Sequence, residues 1–201
     1  MSLPEVQDNV EHLFRHSYGK LVAILLNRFG AHALEDIEDA VQESLIKAMK
    51  LWPYGATPDN PLSWLLRVSQ NHLIDQLRRQ KRITLTGDRD SDSLNQSVWD
   101  NDPALETTVN DDQLKLIFGC CHPALSQESQ IILTLKLVAG FGNKEVATAL
   151  LKNEEAIAKA HTRAKKKLRS ENIKFESSLE IGLRSRLQIV LKIIYLIFSE
   201  G

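Results

Sequence analysis

The sequence predicts an all-α protein, with two small helical domains joined by an acidic linker and an apolar helix at the C-terminal end. Three observations predict it. Apolar residues recur at threes and fours along most of the chain, and no segment alternates with the period of two that a strand needs. Proline and glycine gather at a few points that can stop helices. From Thr84 to Asn110 the composition shifts to Ser, Thr, Asn and Asp, with one basic residue against eight acidic ones between Thr86 and Gln113. That is a linker signature, with Val98, Trp99 and Leu105 as anchoring points.

The elements follow in order. Leu13, Leu21, Ile24, Leu25 and Phe29 mark a first helix that ends near Gly30. A second runs from about Leu34 to Leu51 and is closed by "WPYGATPDNP", Trp52 to Pro61, where three prolines and a glycine make a loop. Pro61 suits a first helical turn. It opens a third helix, to about Arg82, whose Leu62, Leu65, Leu66, Leu73 and Leu77 face inward.

Helical spacing resumes near Asp112 and continues to Arg169. Within it, Gly140 and Gly142 end one helix and Asn143 is placed to cap a short one, Lys144 to Leu150. A Leu-Lys-Asn turn follows, and Asn153 caps a longer helix with Glu154 and Glu155 in its first turn. This is a helix-turn-helix pattern, with Ala147 small at the crossing and Ile157, Ala160, Ala164 and Leu168 inside. Lys159, Arg163, Lys166 and Lys167 lie on the other face, at a spacing suited to phosphate and groove contacts. A generic helical hairpin is the plainer alternative. In the tail, Leu187, Val190, Leu191, Ile194, Ile197 and Phe198 form a stripe that would pack on this module or on a further domain.

The 201 residues allow one large domain or two small ones, and 43% apolar with 25% charged residues is ordinary for a globular chain. A net charge of −1 conceals strong segregation. The first 60 residues hold five basic and nine acidic side chains; Pro61 to Leu85 holds five and one; Lys144 to Arg169 holds eight and three. Two basic helices on separate modules suggest two contacts with one long polyanion, against the plainer reading of basic helix ends facing water. No apolar run reaches the roughly 18 to 20 residues of a membrane span. The acidic N-terminus is no secretion signal, and two cysteines make no disulfide framework. A cytoplasmic protein without membrane contact is expected.

"LEDIEDAVQESLIKAM", followed by a loop and "NPLSWLLRVSQNHLIDQLRRQKR", resembles region 2 of bacterial sigma-70 factors of the extracytoplasmic-function (ECF) group. The patterns D-x-x-D-x-x-Q-E and W-L-x-R-x-x-x-N-x-x-x-D-x-x-R occur together, and the helix-turn-helix is similar to region 4 of the same family. The resemblance implies region 2 over residues 5–83, an acidic linker over 84–111, region 4 over 112–170 and a helical tail over 171–201. It implies an RNA polymerase sigma factor, not an enzyme, that takes no cofactor or metal and has core RNA polymerase and promoter DNA as partners. An anti-sigma factor or a C-terminal regulatory domain would be its regulator.

By this resemblance Asp36, Asp39, Gln42 and Glu43 dock on the clamp coiled coil of the polymerase. The loop from Trp52 to Pro61, with Tyr54, Trp64 and Asn71, receives a base of the −10 element, and Arg67, Arg78, Arg79 and Arg82 hold phosphates. Asn153, Glu155, Ala156 and Lys159 face the −35 element, with Arg163, Lys165, Lys166 and Lys167 near phosphates. Many relatives carry arginine at Ala160 and leucine at His161, so one phosphate contact fewer is expected, or a shifted recognition helix. The acidic linker imitates a transcript in the RNA exit path.

"FGCCHPALS", Phe118 to Ser126, resembles the subgroup with a C-terminal tetratricopeptide-like extension, and this chain stops where that extension would begin. As chemistry, adjacent cysteines project about 100° apart on a helix and share an ion poorly. We read Cys120 and Cys121 as packing residues, with a redox pair and a metal site as alternatives. Pro123 then breaks the helix and Ser126 caps the next.

Two other functions compete with the sigma reading. A stand-alone dimeric helix-turn-helix regulator gives no reason for the acidic helix. An enzyme holding Mg²⁺ on Asp36, Asp39 and Glu43 lacks a second facing acidic cluster.

Overall fold

A computed structural model describes residues 17–54, 57–84, 105–171, 173, 175 and 183–200. Among the described residues every regular element is helical, as expected: α1 (residues 17–29), α2 (Leu34–Leu51), α3 (Pro61–Thr84), α4 (Leu105–Cys120), α5 (Gln127–Leu137), α6 (Asn143–Ala149), α7 (Glu154–Ser170) and α8 (Leu183–Glu200). Short 3₁₀ turns, Ala31–Ala33 and Trp52–Tyr54, flank α2. No helix among these residues is long and apolar enough to cross a membrane.

The periodicity works as the apolar spacing requires. Leu34, Ile37, Val41, Leu45 and Ala48 bury one stripe of α2, and Leu65, Leu66 and Leu73 bury one of α3, which packs along it. Gly30, with φ of 81°, turns the chain between α1 and α2 in a conformation that a side chain disfavours. The last α1 turn closes there by Gly30 N–H on the Leu26 carbonyl at 2.8 Å. At the start of α3 the Asn60 side chain accepts from Ser63 N–H at 3.0 Å, a cap that the sequence reading passed over in favour of Pro61.

Two expectations change at the middle of the chain. The helix expected from about Asp112 begins at Leu105, because Pro103 and Glu106 supply a start signal and an acidic first turn that the linker composition masks. Asp112, the first residue expected beyond the linker, is buried. Its Oδ1 accepts from Asn27 Nδ2 at 2.9 Å and from Lys115 Nζ at 3.2 Å, tying α4 to α1. Residues 85–104, which carry most of the expected linker with Val98 and Trp99, lie outside the described residues, as does Leu13.

The second change concerns the core. The sequence suggests two modules on a tether, yet one apolar cluster runs through both halves. It joins α1, α2 and α3 to Leu116 and Cys120 of α4, Leu133 and Leu137 of α5, Ala164 and Leu168 of α7, and Ile173 and Phe175 beyond. A second cluster, with Ile132, Phe141, Val146, Ala147, Ile157 and Ala160, closes the helix-turn-helix. A third holds α8 on α4 through Phe118, Cys121, Val190 and Ile193. The α8 stripe is therefore rotated from the expected one: Ile193 is buried, whereas Leu187 and Leu191 are exposed.

Candidate nucleic-acid interface

The α3 flank is built by what its other face buries. Ser69 satisfies its hydroxyl on the Leu65 carbonyl at 2.8 Å, so even the polar position on the inner side is internally used. Arg67, Asn71, Asp75 and then the adjacent Arg78 and Arg79 are exposed at steps of three or four residues, along about 18 Å of helix. That length matches roughly five base steps of duplex. Tyr54 is 88% exposed, whereas Trp64 is half-buried against the core. It meets Trp52 edge to face, with centroids 5.5 Å apart and planes at 61°. Trp64 thus supports the loop that carries Tyr54. The Arg82 side chain lies outside the described residues.

On the helix-turn-helix the caps are explicit. Asn153 Oδ1 accepts from Ala156 N–H at 2.7 Å, and Ala156 itself is half-buried. Asn143 does not cap α6. Its Oδ1 takes Lys136 Nζ at 3.0 Å, and Glu145 instead reaches back to accept Gly142 N–H at 2.7 Å. Glu155, Lys159, Arg163, Lys166 and Lys167 are exposed; Lys159 pairs with Glu155, and Lys167 with Glu171 at 2.6 Å. These pairs soften the positive face but are surface bonds of small worth.

Both Ala160 and His161 are buried, Ala160 in the cluster that holds Val146 and Ala147 of the short helix α6. The Lys165 Nζ is 2.7 Å from Glu38 of α2, and both side chains are largely covered. Arg169 pairs with Glu35 at 3.1 Å nearby. Tyr18 completes this seam, with its hydroxyl on Glu38 and its acidity suppressed by burial and by the carboxylates of Glu38 and Asp39.

The acidic helix faces the same seam. Asp36 and Glu43 are half-buried, and Asp39 and Gln42 are exposed. Asp39 and Gln42 border a cleft of about 610 Å³ whose far wall includes Lys136, Phe141, His161 and Lys165. The Glu38, Glu35, Lys165 and Arg169 set escaped the sequence reading because its partners lie 127 and 134 residues apart. Only the matched spacing of opposite charges on two helices hints at it.

The adjacent cysteines answer to two different clusters. Cys120 is fully buried in the main core and Cys121 under α8. Burial pushes both thiols up, Cys121 to about 11, so neither is a ready thiolate. Gln130 clasps the following turn, donating to the carbonyls of His122 at 3.0 Å and Leu125 at 3.2 Å, and Ser126 caps α5 through Ser129 N–H at 3.3 Å. Among the described residues no three His, Cys, Asp or Glu side chains converge as metal ligands.

Comparison with known proteins places these features. Residues 13–83 match the sequence profile of sigma-70 region 2. An uncharacterized protein of Rhizobium meliloti is 36% identical over 173 residues, which cover 84% of this chain and 40% of that protein. The ECF RNA polymerase sigma factor SigG of Mycobacterium tuberculosis is 27% identical over 69% of this chain and 42% of its own length. The RNA polymerase sigma factor YlaC of Bacillus subtilis is 23% identical over 72% of this chain and 80% of its own length. The chain thus spans about two fifths of the first two relatives.

Proposed function

The chain belongs to the extracytoplasmic-function group of the sigma-70 family, and from that premise we propose that it directs core RNA polymerase to particular promoters and helps to open them. The observation that carries this reading is the α3 flank, where an exposed Asn71 lies within a row of exposed arginines inside the region 2 match. Opening a duplex costs a few kcal/mol for each base taken from the stack. Stacking on an aromatic side chain returns about 1 to 3 kcal/mol per base. The exposed Tyr54 supplies such a ring, Asn71 the polar group beside it, and Arg67, Arg78 and Arg79 the phosphate contacts.

In this reading Asp36, Asp39, Gln42 and Glu43 bind the polymerase, and α7 meets the −35 element through Glu155, Lys159, Arg163, Lys166 and Lys167. The protein acts by binding, with the polymerase doing the chemistry. A regulator, whether an anti-sigma factor or a C-terminal domain, would act on these same surfaces.

Run-off transcription with purified core polymerase over a library of genomic fragments tests the proposal. Specific start sites are expected with the native chain. Asn71→Ala, which removes one base contact worth about 1 to 3 kcal/mol, lowers initiation roughly 5- to 150-fold while polymerase binding persists. Asp39→Ala with Gln42→Ala removes polymerase binding itself. A chain that ignores the polymerase and binds a palindromic duplex tightly alone would replace this reading with a dimeric regulator.

A further inference from the structure

We propose that Leu151, in the turn of the helix-turn-helix, is a specificity-determining residue that packs on a thymine methyl group in the −35 element. The inference rests on the reading that α7 meets that element.

The fold gives no reason for leucine at this position. A pair of backbone bonds closes α6: Lys152 N–H donates to the Ala147 carbonyl at 2.8 Å, and Leu151 N–H to the Thr148 carbonyl at 3.2 Å. Such a pair holds the residue between them in the left-handed region, and Leu151 has φ of 52°. Glycine is the usual occupant and asparagine the next, because a Cβ crowds the following carbonyl there. Among the described residues Leu151 is the one non-glycine residue with positive φ. Burial does not offset the strain. The side chain is 94% exposed, the most of any large apolar residue described, while its neighbour Leu150 packs on the helix-turn-helix core. Exposure alone would be ordinary for a leucine. Exposure in a backbone conformation that selects against leucine points to a partner.

The surroundings identify that partner as duplex DNA. Leu151 shares a shallow surface groove with Lys144, Thr148, Lys152, Asn153 and Glu154. It lies three residues before Glu154, the first residue of α7, so at most about 11 Å of chain separates the two. In a helix-turn-helix the first residues of the second helix meet base edges in the major groove. That groove is about 12 Å wide, enough to admit the turn beside the start of α7. Its floor offers an aliphatic side chain the C5 methyl of thymine as an apolar counterpart. Lys144 and Lys152, beside Leu151 in the same groove of the protein, carry the charge that the bounding phosphates attract.

The test uses the full chain with core polymerase on a promoter picked out by run-off transcription. Each thymine of its −35 element is replaced singly by deoxyuridine, which removes one methyl group and keeps every hydrogen bond of the base pair. With the native chain, exchange at one position is expected to lower initiation about fourfold, the effect of one buried methyl group. Leu151→Gly and Leu151→Asn initiate about fourfold or more below the native chain on the thymine promoter. They no longer distinguish thymine from deoxyuridine at that position. Both residues accept the left-handed conformation, so the thermal midpoints of the variants stay level or rise by about 2 to 4 °C. A leucine that merely held the turn together would show the reverse, a lower midpoint with the discrimination intact.

A native chain indifferent to every deoxyuridine exchange, variants that keep the discrimination, or variants that unfold at a lower temperature would each overturn the inference. Variants that lose affinity for polymerase in the absence of DNA would overturn it as well, and assign Leu151 to a protein contact. A native chain that yields no start sites would instead remove the sigma reading, and the inference with it.

Discussion

His161 shows what burial does to a single residue. Its imidazole is on the buried side of α7, and burial first, then the charges of Lys165 and Lys136, push its pKa down to about 3. An unfolded chain takes up that proton near 6.5. Between those values the unfolded state binds more protons than the folded one, so the stability present above pH 6.5 is lost as pH falls toward 3. At about 1.4 kcal/mol per pKa unit, the loss reaches a few kcal/mol. His161→Leu keeps the volume and removes the titration. Urea unfolding should show the variant less sensitive to acid than the native chain, and parallel pH curves would refute the buried neutral imidazole. At this scale the sequence was half legible. The helical angle between Cys120 and Cys121 anticipated their separate packing, and the inner stripe anticipated Ala160.

Among the elements, α2 was legible to the residue, and α3, α5, α6 and α7 to within a few residues, since each carries a regular apolar stripe between clear stops. Caps were less so. Asn153 announced itself by its two following glutamates, whereas Asn143 was misassigned because Lys136, seven residues earlier, claims its side chain. The Asn153 cap separates stability from recognition. Its Oδ1 accepts from Ala156 N–H, and its amide nitrogen is the donor left for DNA. Asn153→Ala should cost about 1 kcal/mol in thermal or urea unfolding. Asn153→Asp keeps the cap and the stability but weakens binding to a −35 duplex. Equal stability in all three proteins would mean that the bond to Ala156 contributes nothing. The start of α4 was hidden for a different reason: polar composition says little about helix formation once tertiary contacts such as Asn27 with Asp112 supply the stabilisation.

For the whole molecule, the linker composition predicted two bodies, and nothing local in the sequence could have predicted their contact. A seam made by pairing residues more than a hundred positions apart leaves no periodic trace. Its consequence is cooperative unfolding. Leu133 is fully buried in α5 yet belongs to the cluster that surrounds α1, α2 and α3. Leu133→Ala should cost about 2 to 5 kcal/mol and lower the unfolding midpoint of tryptophan fluorescence and of far-ultraviolet circular dichroism together. A fluorescence transition that stays in place would show that the halves unfold independently. Gly19 extends this to the way the sequence can drift. Every glycine codon is one base change from an alanine codon, and in a helix interior that change ordinarily gains about 1 kcal/mol. Here a Cβ on Gly19 of α1 would overlap the carbonyl of Val138, at the end of α5. Descendants that keep the halves together must keep glycine at this position, and those in which the halves have separated are free to lose it, so the identity of one small residue records which kind of protein a lineage has become.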